Sequence, residues 1–196
     1  MSLKGLRVGF AITGSHCTIK QIISEVKRLT VEGAEVTPII STAVDSMDTR
    51  FGSADHWKQE LETLTGKRPI ASIVDAEPVG PQKLFDVLVV APCTGNTVAK
   101  FANAITDTPV LMACKAHLRN QRPIVLAIST NDGLGLNARN IGVLLATKNI
   151  YMVPFGQDSP KNKANSLVAH MNLIVDTITE ALQSRQIQPI LREHEL

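Results

Sequence analysis

The chain has 196 residues, of which 44% are hydrophobic and 19% charged, with a formal net charge of +2. That balance suits one globular domain with a full core and excludes a disordered chain. Lys and Arg are dispersed and no apolar run approaches the ~20 residues that span a bilayer, so neither nucleic acid nor a membrane is expected as a partner. Cys17, Cys93 and Cys114 form no CxxC pair and the five histidines are scattered. Reduced thiols, no metal site and a cytoplasmic location are therefore expected. Residues 1–7 run straight into a strand pattern, so no secretory leader is expected.

The first strand pattern, residues 6–12, ends in Thr13-Gly14-Ser15-His16-Cys17. Glycine permits a sharp turn, and Thr13 or Ser15 can cap the next helix while its N–H groups face an anion. The loop lacks the spacing and the Lys of a P-loop, and a plain capped helix fits it equally well. Cys17 falls in the first helical turn, where free N–H groups favour a reactive thiol, but a buried structural cysteine is the expected reading. Ile19, Ile22, Ile23, Val26 and Leu29 repeat at helical spacing and the Gly33 region closes that helix.

A second strand at 35–40 contains Pro38, which would sit badly in a central strand, and leads to Ser41-Thr42-Ala43. Residues 41–80 read as an irregular insertion with one helix pattern (Trp57, Leu61, Leu64) and a strand at 70–74. Such a segment serves as a lid, an oligomer contact or a plain surface excursion.

The next strand, 86–91, is a continuous apolar run of the kind buried on both faces of a parallel sheet. It stops at Pro92-Cys93-Thr94-Gly95-Asn96-Thr97, with a helical pattern immediately behind. This loop is either a helix start capped by Thr94 or Asn96, or a ligand loop beyond the carboxyl end of a strand. A strand at 124–128 ends in residues 129–138, where Gly133-x-Gly135-x-x-Ala138 mimics a dinucleotide fingerprint with Asp158 about 20 residues on. It is not in the first strand–helix unit, so the two glycines are read as letting the chain pass close to a ligand or a neighbouring subunit. Leu136, Ile141, Leu144 and Leu145 mark another helix, a strand follows at 150–153, and Leu167, Met171, Ile174, Ile178 and Leu182 mark a final helix ending near Ser184. Residues 188–196 read as a flexible tail.

The alternation predicts one α/β domain over 1–196: a three-layer, doubly wound (Rossmann or flavodoxin-like), mostly parallel sheet of about six strands. Four strand ends then place small polar loops on one edge of that sheet. They describe a crevice lined by Gly, Ser, Thr and Asn with almost no fixed charge, suited to a phosphate and a large neutral ring, for which FMN is the natural candidate.

Read together, these loops resemble the flavoprotein family of FMN-dependent cysteine decarboxylases and flavin prenyltransferases. That family opens with a strand and a Gly-Ser loop, as at Thr13-Gly14-Ser15, and carries Pro-Ala-Ser-Ala-Asn-Thr after a buried strand. Pro92, Asn96 and Thr97 match that motif; Cys93, Thr94 and Gly95 depart from it. Of the family's later Pro-x-Met-Asn segment only Asn131 matches, and the catalytic His of the decarboxylase branch has no counterpart in residues 76–81. Longer strings, 91–97, 103–113, 128–137 and 153–158, resemble the dipicolinate synthase family of spore-forming bacteria, in the place of its B chain.

This second resemblance implies a part in oxidising dihydrodipicolinate to dipicolinate, in the mother-cell cytoplasm of a sporulating bacterium. It implies a partner, the A chain of the synthase, that resembles a nicotinamide-dependent dehydrogenase and brings in NADP, and a trimer-based homo-oligomer with flavin at subunit contacts. Gly14, Ser15 and Ser41 are assigned to the phosphate and ribityl chain of FMN. Thr94, Gly95, Asn96 and Asn131 are placed near its ring, with Pro92 and Thr97 as frame. A small-molecule dicarboxylate substrate needs cations, and Lys115, Arg119 and Arg139 are the candidates, each otherwise a solvated helix residue. No general base is evident; His16 and Asn131 are the candidates for catalysis. The alternatives are a flavin-less structural partner of the A chain, and a prenyltransferase or decarboxylase-like enzyme.

Overall fold

The computed structural model describes residues 3–194. Five parallel strands form its centre: β1 (Arg7–Ile12), β2 (Glu35–Ile40), β3 (Val87–Cys93), β4 (Ile124–Thr130) and β5 (Ile150–Met152), in the order β2-β1-β3-β4-β5. β3 is buried along its whole length, because helices cover both faces of the sheet. On one side lie α1 (His16–Val31), α3 (Ala54–Thr65) and α8 (Ile174–Ala181); on the other lie α4 (Ile73–Ala76), α5 (Gly95–Ala102), α6 (Pro109–Arg119) and α7 (Asn137–Leu145). α2 (Thr42–Ser46) packs against α3.

β4 is longer than β5. Its first residues pair with β5 at Ile124–Leu126, while Ser129 and Thr130 pair with β7 (Leu167–Ala169), which also pairs with β6 (Phe155–Gly156). This antiparallel hairpin on the carboxyl end of the sheet has no counterpart among the elements expected from sequence. Leu167 lies in β7 and Met171 in a 3-10 turn, so the predicted final helix begins only at Ile174. The apolar spacing that suggested helix arises from a strand and a turn that happen to bury one residue in four. Residues 190–192 continue along β6: Phe155 N donates to the Ile190 carbonyl and Arg192 N to the Phe155 carbonyl.

Pro38 fits β2 because β2 is an edge strand. Its carbonyl accepts from Ile70 N on the outer side, the side to which a missing N–H also points. Beyond that bridge the predicted strand at 70–74 does not form; Ser72 instead caps α4 by accepting from Asp75 N. Residues 41–80 carry α2, α3 and α4, with Trp57 and Leu61 buried in the main core. α6, for which no pattern was assigned, has a strong local signal: Thr108 accepts from Leu111 N and Pro109 opens the first turn. Among the described residues no helix is long and apolar enough to cross a membrane.

Candidate flavin cradle and adjoining cleft

β1 has β2 on one side and β3 on the other, so the strand order reverses between β1 and β3, and a crevice opens above their carboxyl ends. Three loops converge there and are tied together by side chains. Thr13 Oγ1 donates to the Pro92 carbonyl at 2.6 Å and accepts from Thr94 N at 3.1 Å, locking the β1–α1 loop to the β3–α5 loop. Ser15 and Ser129 share a hydroxyl hydrogen bond of 2.9 Å across to the end of β4. Ser41 N donates to the Ile12 carbonyl, fixing the β2–α2 loop beside Gly14.

These bonds revise the capping expectations. Thr94 does cap α5, accepting from Thr97 N at 3.4 Å and bonding the Thr97 hydroxyl at 3.0 Å; Asn96 is exposed beyond it. Ser15 occupies the cap position of α1 without a side-chain capping bond, and Thr13 caps nothing, because both hydroxyls join loop to loop. Cys17 is exposed, contrary to the buried cysteine expected. Cys93 and Cys114 are the buried ones; burial pushes the Cys93 thiol up to about 12 and the Cys114 thiol up as well.

What remains open in the crevice is a set of unpartnered polar groups. The Ser41 hydroxyl and His16 Nδ1 are buried without hydrogen-bond partners. Helix geometry leaves the N–H groups of His16 and Cys17, in the first turn of α1, without partners inside the helix. A methyl group on Gly14 would stand 3.0 Å from Cβ of Ala43, so the glycine keeps the two loops apart by no more than a backbone's width. Orphaned donors around a glycine turn, at the start of a 16-residue helix, fit a phosphate monoester held by N–H and hydroxyl groups.

Gly14, Ser15, Ser41, Pro92, Thr94, Gly95 and Thr97 therefore come together as the sequence suggested, with Asn96 at the rim. Asn131 stands apart, exposed after β4 with its Oδ1 accepting from Ser166 Oγ at 3.4 Å. The three cations named for a dicarboxylate do not gather there: Lys115 and Arg119 are exposed on α6, whose end turns away toward Gly80, and Arg139 is exposed in the first turn of α7, past the end of β4. Helical residues chosen by charge alone carry no information about which end of the sheet they face.

A cleft of about 710 Å³ adjoins this crevice, between α1 and the turn that follows β7. Ser15 and Ser129 form the wall nearest the crevice, and Asn131, Lys163, His170 and His194 line the remainder. The two imidazoles are stacked, with centroids 4.0 Å apart and planes at 10°. His194 Nε2 lies 2.9 Å from the Val168 carbonyl and His170 Nε2 3.5 Å from that of Arg192. Asp158, whose spacing only mimics a fingerprint acid, pairs with Lys163 at 3.5 Å. Sequence reasoning missed this cleft because the wall facing α1 comes from residues 158–194, taken as loop, helix and tail. One signal was present: Gly133 is needed because a Cβ there would meet Leu167 of β7 at 2.7 Å. The neighbour it admits is the chain itself.

The family model described as Flavoprotein matches residues 1–183. Over 193 residues the chain is 54% identical to the B chain of dipicolinate synthase from Bacillus subtilis (strain 168), covering 98% of this chain and 96% of that one. The crystal structure of the same B chain from Bacillus halodurans C aligns with a TM-score of 0.91 at 50% identity, over 98% of this chain and 99% of that one. The FMN-dependent cysteine decarboxylase SpaF aligns at a TM-score of 0.66 with 19% identity, over 93% and 98% of the two chains, a likeness of fold alone.

Proposed function

The chain belongs to the Flavoprotein family, and from that premise we propose that it is the B chain of a dipicolinate synthase and holds FMN above the ends of β1 and β3. The end-to-end identity with the Bacillus subtilis B chain carries the choice of enzyme. The convergence of Gly14, the orphaned Ser41 hydroxyl and the first turn of α1 supports the choice of cofactor.

In this reading Gly14, Ser15 and Ser41 take the phosphate and ribityl chain. Thr94, Gly95 and Asn96 lie along the ring, with Asn131 at its outer side. Pro92 and Thr97 hold that wall in shape. When bound, FMN supplies a two-electron acceptor for the aromatisation of a dihydropyridine dicarboxylate. The chain's own part is to orient the ring against the substrate, and the joined loops of Thr13, Ser15 and Thr94 give the rigidity this requires. The A chain of the synthase contributes NADP, the homo-oligomer is built on trimers, and the assembly works in the mother-cell cytoplasm during sporulation.

Reconstitution tests the proposal. The A and B chains, each freed of flavin, are mixed with dihydrodipicolinate and nicotinamide cofactor, with and without FMN. Dipicolinate formation that needs both the B chain and FMN is the expected result. Formation that needs the B chain but is indifferent to FMN would leave it as a flavin-less partner of the A chain, a reading favoured by the departures from the family motif at Cys93 and Gly95.

A further inference from the structure

Accepting the proposed function, we infer that the cleft between α1 and the turn after β7 is the dicarboxylate site, with Lys163 and the stacked His170–His194 pair as its anion-binding groups. The cleft has the volume of a small-molecule site and shares Ser15 with the flavin cradle, so a ligand there lies beside whatever the cradle holds. Its polar groups come from three separate stretches of chain: Ser15 on the α1 loop, Ser129 and Asn131 after β4, and Lys163, His170 and His194 around the β6–β7 hairpin. Lys163 is half exposed and paired with Asp158 at 3.5 Å, long enough for its ammonium to take a second carboxylate.

The charged side chains lining the cleft are Lys163, Asp158 and Glu25. Asp158 stands against Lys163, and Glu25, on α1, lies 3.7 Å from Arg28, which is outside the lining and donates to the Asn172 carbonyl beside His170. Burial raises the Glu25 carboxyl and lowers the His170 imidazole, which His194 lowers further while the bond to the Arg192 carbonyl opposes it. A doubly negative ligand entering a site that already holds two carboxylates and one ammonium favours uptake of a proton. The stacked imidazoles are the groups placed to receive it, since each already offers one nitrogen to a backbone carbonyl. The site therefore binds a planar dicarboxylate together with a proton, and more tightly as pH falls.

The probe is pyridine-2,6-dicarboxylate in metal-free buffer, titrated calorimetrically into the full-length protein in two buffers of different ionisation enthalpy, with pyridine-2-carboxylate for comparison. The expected result is binding with proton uptake, a weaker monocarboxylate, and slower labelling of Cys17, which lines the cleft, by a thiol reagent when the ligand is present. Lys163→Ala and His170→Gln should each weaken binding about tenfold or more, the loss of one charge-assisted hydrogen bond, without changing FMN uptake. Lys163 is a surface side chain whose removal leaves the fold intact, so it keeps the test open if the histidine variant misfolds. Unchanged affinity in Lys163→Ala, or binding without proton uptake, overturns the inference. Failure to bind the dicarboxylate in a protein that takes up FMN overturns it and spares the proposed function. Dicarboxylate binding through Lys163 in a protein that refuses FMN upholds the cleft and refutes the flavin cradle.

Discussion

Gly95 stands where the family motif carries alanine, and two neighbours explain it. A Cβ on Gly95 would lie 2.5 Å from Thr130 Oγ1 and 2.8 Å from Asn137 Nδ2. Asn137 is held in turn by Asp132 and Asn140, so neither contact yields easily. The motif and the end of β4 have exchanged bulk across the top of the sheet. Gly95→Ala should cost about 1–3 kcal/mol in chemical denaturation, as overpacking does; a neutral or stabilising outcome would show that Thr130 and Asn137 move freely. His117 offers a second residue-scale test. It is buried on α6 with Nε2 3.1 Å from the Pro123 carbonyl, and burial depresses its pKa to about 4 against the bond to Pro123. The unfolded chain, with an ordinary imidazole, therefore binds the extra proton between about pH 6.5 and pH 4, and the folded protein loses stability as pH falls through that window. The loss should be on the order of 3 kcal/mol. His117→Gln, compared with the parent across the same range, should flatten this dependence; an unchanged slope would exclude His117 as its source.

At the scale of elements, the parallel strands and α1 were legible because each carries a single period: β3 a continuous apolar run, α1 apolar residues three and four apart. The hairpin of β6 and β7 was not, since strands of two and three residues carry too few positions for any alternation to show. α6 was missed for the opposite reason. Its buried residues are so many that no clean polar face interrupts them. The loops of the crevice were legible singly, but nothing in the sequence tells that Thr13 serves two partners 79 and 81 residues away. That bond carries a prediction about the site. Thr13→Val keeps the shape and removes both hydrogen bonds, leaving the buried Pro92 carbonyl and Thr94 N–H unpaired, at a cost of about 1–3 kcal/mol. FMN affinity should fall with it, because the β1–α1 and β3–α5 loops lose their link. A variant as stable as the parent would mean that water replaces the hydroxyl.

For the whole molecule, the sheet order places the reversal point between β1 and β3, and most of the residues singled out in the sequence gather there. Lys115 and Arg119 do not, and Lys163, His170 and His194 take the position at the sheet's carboxyl end instead. The difference is topological. Residues following a strand are placed by that strand, whereas residues of a C-terminal hairpin are placed by pairing with β4, a contact between segments some 38 residues apart (Ser129 with Val168, Thr130 with Leu167). The neutral cradle and the cleft with its titratable groups meet at Ser15.

Titration of the flavin-free protein with FMN, followed by the absorbance of the flavin, tests the cradle most directly. Saturable uptake at one FMN per chain with a shifted absorbance band is expected, and weaker uptake by Asn96→Asp, which sets a negative charge beside the ring. A protein that leaves the flavin spectrum unchanged at every concentration, while folded and competent to support dipicolinate formation by the A chain, would contradict it.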